Sequence, residues 1–366
     1  MTIITPRLAQ LADLQDLVAL ENTCFQTDRL SPRSFRYFLT KSQAEIWVLG
    51  VPVVAYGLVL FHRGTSLARI YSLAVHPSER GKGFARQLML SMQASAATHK
   101  ALYIRLEVAD DNHGALKLYQ ELGYEPIRRL HHYYEDGHDG IRLEKRLQIT
   151  RKIPKDVPYY AQTTEFTCGP ASLLMAAKKL NPKQKFDQIE ELDIWREATT
   201  IFMTTGHGGT SPYGLALAAN NRGYQARLWV SNHDVPFLDG VRNEKKKSII
   251  ELIHQEFILK VKQKNILVDT FPKELDEIRQ ALRQGEKLIL LISTYRLNRY
   301  KEPHWIWLVD MDDEFAYFND PDVDTEQWKG PMDSIYVPVP LHDFAKMIKF
   351  GRNQFRAAIL ISKAEA

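Results

Sequence analysis

The chain has 366 residues, 45% of them hydrophobic and 25% charged, with a formal net charge of +4 at pH 7. That length exceeds one ordinary core, so two domains are expected, and so mild a positive charge gives no argument for nucleic acid binding. No apolar run reaches membrane-spanning length, the N-terminus lacks a signal-peptide pattern, and the only cysteines, Cys24 and Cys168, cannot build a disulfide framework, which points to a reducing cytoplasm.

Residues Ile3 to Arg7 read as a strand and Leu8–Cys24 as a helix, with Leu11, Leu14, Leu17, Val18 and Glu21 at helical spacing. Ser31-Pro32 opens a short helix through Phe35 and Phe38. Cys24 lies on the edge of this apolar set and reads as a buried structural thiol. Strand-like runs Glu45–Leu49 and Val53–His62 flank a tight Gly50-Val51-Pro52 turn. An apolar strand from Arg69 ends at Val75, Pro77 stops it, and Arg80-Gly81-Lys82-Gly83 leads into a helix with Phe84, Leu88 and Met92 on one stripe. Glycines at such a turn let backbone N–H groups converge on an anion, and the open first helical turn adds partial positive charge. Ala101–Val108 is a further strand, and Asn112–Leu122 a helix closed by Gly123.

The run Arg80–Ala85 resembles the pyrophosphate loop of the GNAT N-acetyltransferases. The segment Leu106–Tyr124, with Arg129–Gly137 and the strand Gly140–Leu147, resembles more narrowly their ribosomal-protein alanine N-acetyltransferase subgroup, which modifies protein N-termini. The resemblance covers about residues 1–148 and implies a mixed-sheet α/β domain using acetyl-CoA. It implies Arg80, Gly81, Lys82, Gly83, Phe84 and Ala85 at the pyrophosphate, backbone groups of Leu73 and Val75 beside the pantetheine arm, and Asn112 further along. Glu107 and Tyr119 match the subgroup's base and acid. Taken alone, Tyr119 would be a packed helix aromatic and Glu107 a solvated strand carboxylate. Amine basicity favours an N-terminal acceptor. An α-amine is roughly 10% neutral at pH 7 and a lysine roughly 0.04%, a handicap of about 3 kcal/mol. Small-molecule amines stay open.

Around Gln148–Pro158 the texture turns charged and proline-bearing, and a linker is placed at 149–157. The second half begins with Tyr160–Ser172, which carries Cys168-Gly169-Pro170 ahead of a helix through Leu180. Glu190–Thr200 and Pro212–Arg222 read as helices, with a glycine-rich loop at Thr205–Ser211 between them. Gln225–Val230 is a strand, and Val241–Lys264 a charged amphipathic segment with Ile250, Ile253, Phe257 and Val261 on one side. Glu274–Gln284 and Leu341–Phe350 are helical, and Lys287–Ser293 and Phe355–Ile361 strands.

A helix N-terminus stabilises a thiolate, so Cys168 is a candidate nucleophile, and Gln162 could donate to an oxyanion. His304–Asp310 and Glu314–Asp320 read as a hairpin centred on Asp312. In that register His304 and Asp320 are directly opposed, with Cβ atoms roughly 5 Å apart, so that a carboxylate could fix the imidazole tautomer. These residues and Asn319-Asp320-Pro321 resemble the bacteriocin-processing (double-glycine) cysteine peptidases, a papain-like family, over about Asp156–Asp320. The resemblance implies a papain-like α+β domain at 158–366. Two departures stand out: no transporter follows, and Val241–Lys264 looks inserted.

His131, His132, His138 and Asp139 do not suggest a metal, because neighbouring strand histidines face opposite ways. His207-Gly208-Gly209 reads as a flexible loop rather than a self-cleavage site, and Lys245–Lys247 as a solvated helix face, with ribosome or acidic-partner contact the alternative. The reading favoured by sequence is a bifunctional cytoplasmic enzyme acting on protein or peptide. It acetylates an amine from acetyl-CoA and hydrolyses a peptide bond through Cys168, His304 and Asp320. The rivals are an acetyltransferase with a non-catalytic peptide-binding domain, and a transpeptidase.

Overall fold

The computed structural model describes residues 5–40, 43–147, 156–199, 208–238, 241, 243–272, 274–299, 302–323 and 329–363. The chain divides into two compact units, 1–155 and 156–366. The linker expected at 149–157 falls, up to residue 155, outside the described residues, as do Ile3 and His207.

The first unit runs β1 (Arg7–Leu8), α1 (Leu14–Cys24), α2 (Pro32–Thr40), β2 (Ala44–Leu49), β3 (Ala55–Phe61), β4 (Leu67–Val75), α3 (Phe84–Thr98), β5 (Tyr103–Ala109), α4 (His113–Glu121), β6 (Glu125–Leu130) and β7 (Gly140–Arg146). α1 starts later than periodicity suggests. The Asp13 carboxylate accepts from Arg7 and from the Gln10 N–H, which fixes a 3-10 turn at Leu11–Asp13 first. The sheet order is β1-β2-β3-β4-β5-β7-β6, with only β4–β5 parallel. α3 packs Leu88, Met89, Met92 and Ala96 into the core of this sheet. A Cβ on Gly57 of β3 would meet Met92 Cε at 2.7 Å, so the glycine permits that approach.

Two irregularities shape the sheet centre. Leu58 pairs with Ser72 and Val59 with Ile70, which leaves Tyr71 as a bulge in β4. β4 and β5 pair only over Leu67–Arg69 and Tyr103–Arg105, so beyond Arg69 their ladder ends. Backbone groups from Ile70 onward on that edge of β4 are therefore not taken by β5.

The second unit runs α5 (Cys168–Leu180), α6 (Gln188–Ala198), α7 (Pro212–Asn221), β8 (Tyr224–Val230), α8 (Glu244–Gln263), β9 (Leu267–Thr270), α9 (Leu275–Arg283), β10 (Lys287–Ser293), α10 (Tyr295–Asn298), β11 (Pro303–Met311), β12 (Phe315–Asn319), β13 (Val337–Pro340), α11 (Leu341–Met347) and β14 (Ala357–Lys363). Its sheet order is β13-β12-β11-β10-β14-β8-β9. Strand alternation divides the core. Ile289, Leu291, Trp305 and Trp307 pack with α5 to α8, and Leu288, Leu290, Ile306 and Leu308 pack with α9 and α11. α8 buries Ile250, His254, Phe257 and Val261, and Ile253 only in part. The charged segment is thus a helix of this fold.

Candidate functional sites

In the first unit a cavity of about 330 Å³ opens where β4 and β5 part, lined by Ile70–Leu73, Leu106–Ala109, Asn112, Tyr119, Tyr134 and Glu21. Val75 ends β4, and the chain then enters the glycine turn. Gly81 and Gly83 adopt φ of 80° and 79°, a left-handed region that costs an L-residue energy. Gly83 is the N-cap of α3 and offers no side chain to its first-turn N–H groups. A Cβ on either glycine would meet nothing within 4 Å, so the turn is open on that side. Arg80 is exposed, Lys82 pairs with Glu79 at 2.9 Å, and Phe84 and Ala85 are half-buried. Open amides at the turn, with a strand edge that β5 leaves uncovered beyond Arg69 leading away from it, fit a nucleotide pyrophosphate and its amide-bearing arm, although the Val75 carbonyl accepts from Cys24 Sγ and Arg80 Nε, each at 3.4 Å.

Glu107 and Tyr119 both reach this cavity. Glu107 is no solvated carboxylate. Its Oε2 accepts from Arg69 at 3.1 and 3.2 Å, and Arg142 lies 3.5 Å from Oε1, which among the described residues has no hydrogen-bond partner. Burial pushes the Arg142 guanidinium down to about 10, with Glu107 opposing. Burial also pushes Tyr119 up to about 12, so its hydroxyl keeps its proton. Asn112 caps α4, accepting from Ala115 N–H at 3.1 Å.

Sequence reasoning missed the polar set behind the cavity. The buried Glu21 accepts from Tyr56 and from Leu30 N–H, and Tyr56 shares a hydrogen bond with Ser72 beside the bulge. Burial raises Glu21, against the pull of the Tyr56 hydrogen bond. The signal was weak, because Glu21 sits on the apolar stripe of α1 and reads there as a helix residue. Tyr134, Asp28, Asp111, Asp136 and His138 also line the cavity. His132, expected on a strand, is instead in a turn with φ of 51°, after β6 has ended.

In the second unit Cys168 opens α5, 8% exposed. Gly169 is held tightly: a Cβ there would lie 2.2 Å from Thr210 Oγ1, 3.0 Å from Leu215 and 3.2 Å from Trp305. Ser172 of the same helix donates to the Trp305 carbonyl at 3.0 Å, so α5 is stitched to the strand that carries His304. His304 is buried, and its Nε2 lies 2.7 Å from Asp320 Oδ1. Cys168 also acts on the His304 ring. Burial works against an imidazolium here, but Asp320 and Cys168 outweigh it and push His304 up to about 10. Burial likewise opposes the Asp320 charge, yet Lys329 and then His304 hold that carboxyl well below the usual range.

Gln162 approaches from another direction. Its backbone N–H donates to Pro321 O at 2.9 Å, Tyr159 Oη donates to Asp320 O at 3.0 Å, and Asn319 Nδ2 donates to Pro158 O at 2.9 Å. The segment 158–162 is thus laced along 319–321. The buried Glu191 of α6 accepts from Thr163 N–H and Oγ1 at 2.9 and 2.6 Å and from Tyr160 at 3.0 Å, which fixes the loop on either side of Gln162. Among the described residues the Gln162 Oε1 has no hydrogen-bond partner.

A model of the Peptidase_C39 like family matches residues 157–362, more than half of the chain. The chain belongs to this family. Residues 13–124 match the acetyltransferase (GNAT) family, so this Peptidase_C39 like protein carries a GNAT domain ahead of its peptidase-like one, and GNAT acetyltransferases use acetyl-CoA. The N-alpha-acetyltransferase MAK3 of Arabidopsis thaliana is 35% identical over 104 residues, 28% of this chain and 54% of that enzyme, so the match spans about half of its length. An N-alpha-acetyltransferase of Sulfurisphaera tokodaii is 26% identical over 149 residues, 37% of this chain and 89% of the relative. The ribosomal-protein-S18-alanine N-acetyltransferase structure from Escherichia coli covers 41% of this chain and 97% of its own, with 19% identity and a TM-score of 0.37.

One expectation for this Peptidase_C39 like domain needs correction. His304 and Asp320 are not directly opposed. Trp307 pairs with Asn319 and Leu308 with Phe318, then a bulge shifts the register so that Asp310 pairs with Tyr317. The turn also closes between Asp312 and Phe315, where Asp312 accepts from the Glu314 and Phe315 N–H groups. Asp320 extends past the ladder, and the contact with His304 is diagonal. Both errors together move the register by an even number of residues at this end, so the two residues keep the same face.

Proposed function

We propose a two-activity enzyme: acetyl-CoA-dependent acetylation of a protein or peptide N-terminal amine in the first unit, and thiol-dependent peptide-bond hydrolysis in the second. The first activity rests on the GNAT match and on the cavity between β4 and β5. Acetyl-CoA, when bound, supplies an acetyl group as a thioester. Residues of this chain do the rest. Amides from Gly81 to Ala85 bind phosphate, Tyr119 Oη holds a proton for a leaving sulfur, and Glu107 borders the cavity that takes the amine. Two arginines hold the Glu107 carboxylate in place, and an α-amine already partly neutral at pH 7 makes a smaller demand on a base than a lysine.

The second activity rests on one observation: Cys168, His304 and Asp320 converge from α5, β11 and the end of β12, with 2.7 Å between the imidazole and the carboxylate. In this reading the thiolate attacks the peptide carbonyl carbon, and the imidazolium gives its proton to the departing amine. Water then hydrolyses the thioester, with Gln162 donating to the oxyanion. Proteolysis creates an α-amine, and a tethered acetyltransferase would meet it at roughly millimolar local concentration.

Mass spectrometry of a peptide library incubated with acetyl-CoA tests both parts. Wild type is expected to give shortened and N-acetylated products, and Cys168→Ala to acetylate without cleaving. Equal cleavage by both forms would remove the peptidase reading; no acetylated product from either would remove the other.

A further inference from the structure

We propose that Lys329 is a positioning residue of the thiol site, a counter-cation that favours the Cys168 thiolate beside His304 and the Asp320 carboxylate. The proposal rests on the reading of the second unit as a thiol site. Lys329 Nζ lies 2.7 Å from Asp320 Oδ2, while Oδ1 of the same carboxylate holds His304 Nε2 at 2.7 Å and accepts from Asp322 N–H at 2.9 Å. The lysine side chain is only 23% exposed and Asp320 4%. Asp320 therefore serves two cations at once, one on each oxygen.

Charge counting says what this does. In the reactive state a thiolate and an imidazolium cancel, and the Asp320 charge remains. Beside an imidazolium, loss of the thiol proton takes the four groups from plus one to zero with Lys329; without it the remaining three go from zero to minus one in a buried site, where an uncompensated charge is costly. Other groups facing the lysine sharpen the need. Asp322 Oδ2 lies 3.6 Å away, and Asp333, 3% exposed, also acts on it. From the remaining side Tyr159 gives its hydroxyl to the Asp320 carbonyl, not to the carboxylate. Among the described residues Lys329 is thus the cation held beside these carboxylates, and on this proposal its charge favours the thiolate. Its own ammonium is held up by Asp320 and Asp322 against burial, so it stays charged throughout the range in which the thiol titrates.

The test is iodoacetamide labelling of the full chain against pH, read on the Cys168 peptide so that Cys24 does not contribute. Lys329→Met should move the onset of labelling up by about one pH unit, a tenfold smaller thiolate fraction on the acidic limb. Lys329→Arg should stay within about twofold of wild type, because it keeps the charge. Unfolding also raises the onset, so Asp322→Asn is the second variant. It removes a carboxylate competing for Lys329 and should move the onset down, which loss of structure does not do. Superposed profiles for wild type and Lys329→Met, or an upward shift in Asp322→Asn, would overturn the role of Lys329. A wild-type onset near 8.5 that ignores His304→Ala would instead overturn the thiol-site reading beneath it.

Discussion

His304 Nε2 meets Asp320 Oδ1 at 2.7 Å beyond the last paired residues of β11 and β12, Trp307 and Asn319. The contact is therefore made by side chains and not by the ladder, and its strength follows protonation. His304 is raised from 6.5 to about 10, so its contribution to stability is fully present below about pH 6.5 and is lost as pH rises through 10. The gap in melting temperature between wild type and His304→Gln, followed by tryptophan fluorescence, should narrow between pH 7 and 10. A gap that stays constant over that range would mean the ion pair contributes nothing.

Gly169→Ala should be destabilising out of proportion to one methyl. The added Cβ would lie 2.2 Å from Thr210 Oγ1, and Leu215 and Trp305 close the other directions. Overpacking of this kind costs about 1–3 kcal/mol. Among the described residues Thr210 Oγ1 has no hydrogen-bond partner, so Thr210→Ala removes the worst clash at little cost of its own. Combined with Gly169→Ala it should recover part of the loss in urea unfolding. Strict additivity of the two changes would sink this account.

Tyr119→Phe retains the packing of α4 and loses a proton held up to about pH 12. Acetyl transfer should fall at least about tenfold in kcat with acetyl-CoA affinity unchanged. Wild-type kcat should show no decline owed to this residue between pH 8 and 10. A variant within about twofold of wild type would leave Tyr119 as a core aromatic and nothing more.

Most elements were legible because periodicity reports burial directly. β10 occupies Lys287–Ser293 as expected, and Gly123 takes the left-handed C-cap geometry at φ of 85°. What escaped were short pieces stabilised by partners remote in sequence. β9 and β13 have four residues each, and they exist because β8 and β12 offer them an edge. The functional groups followed the same division. Cys168 and His304 could be picked by chemistry and context, while Lys329 follows a segment with no periodic signal and joins the site only through folding. Glu191 was hidden for the opposite reason: one carboxylate in a helix of charged residues looks solvated, yet this one is fully buried and holds the Gln162 loop. The hairpin register failed locally because a bulge is invisible to a count made from the turn.

Gly83→Asp separates phosphate binding from fold. At φ of 79° an L-residue is strained, though aspartate tolerates this region better than most, and a Cβ would meet nothing within 4 Å. Aspartate also suits the N-cap, where its carboxylate can accept from the first-turn N–H groups and its charge complements the helix. The melting temperature should therefore change little. Those same N–H groups are the ones proposed to hold the pyrophosphate, so the new carboxylate both occupies them and repels the ligand. Acetyl-CoA affinity measured by calorimetry should drop at least about 100-fold, near 3 kcal/mol. Gly83→Ala carries similar backbone strain without charge and should lose much less. Equal losses in the two variants would assign the effect to strain, and unchanged affinity in Gly83→Asp would place the cofactor phosphates somewhere other than the N-terminus of α3.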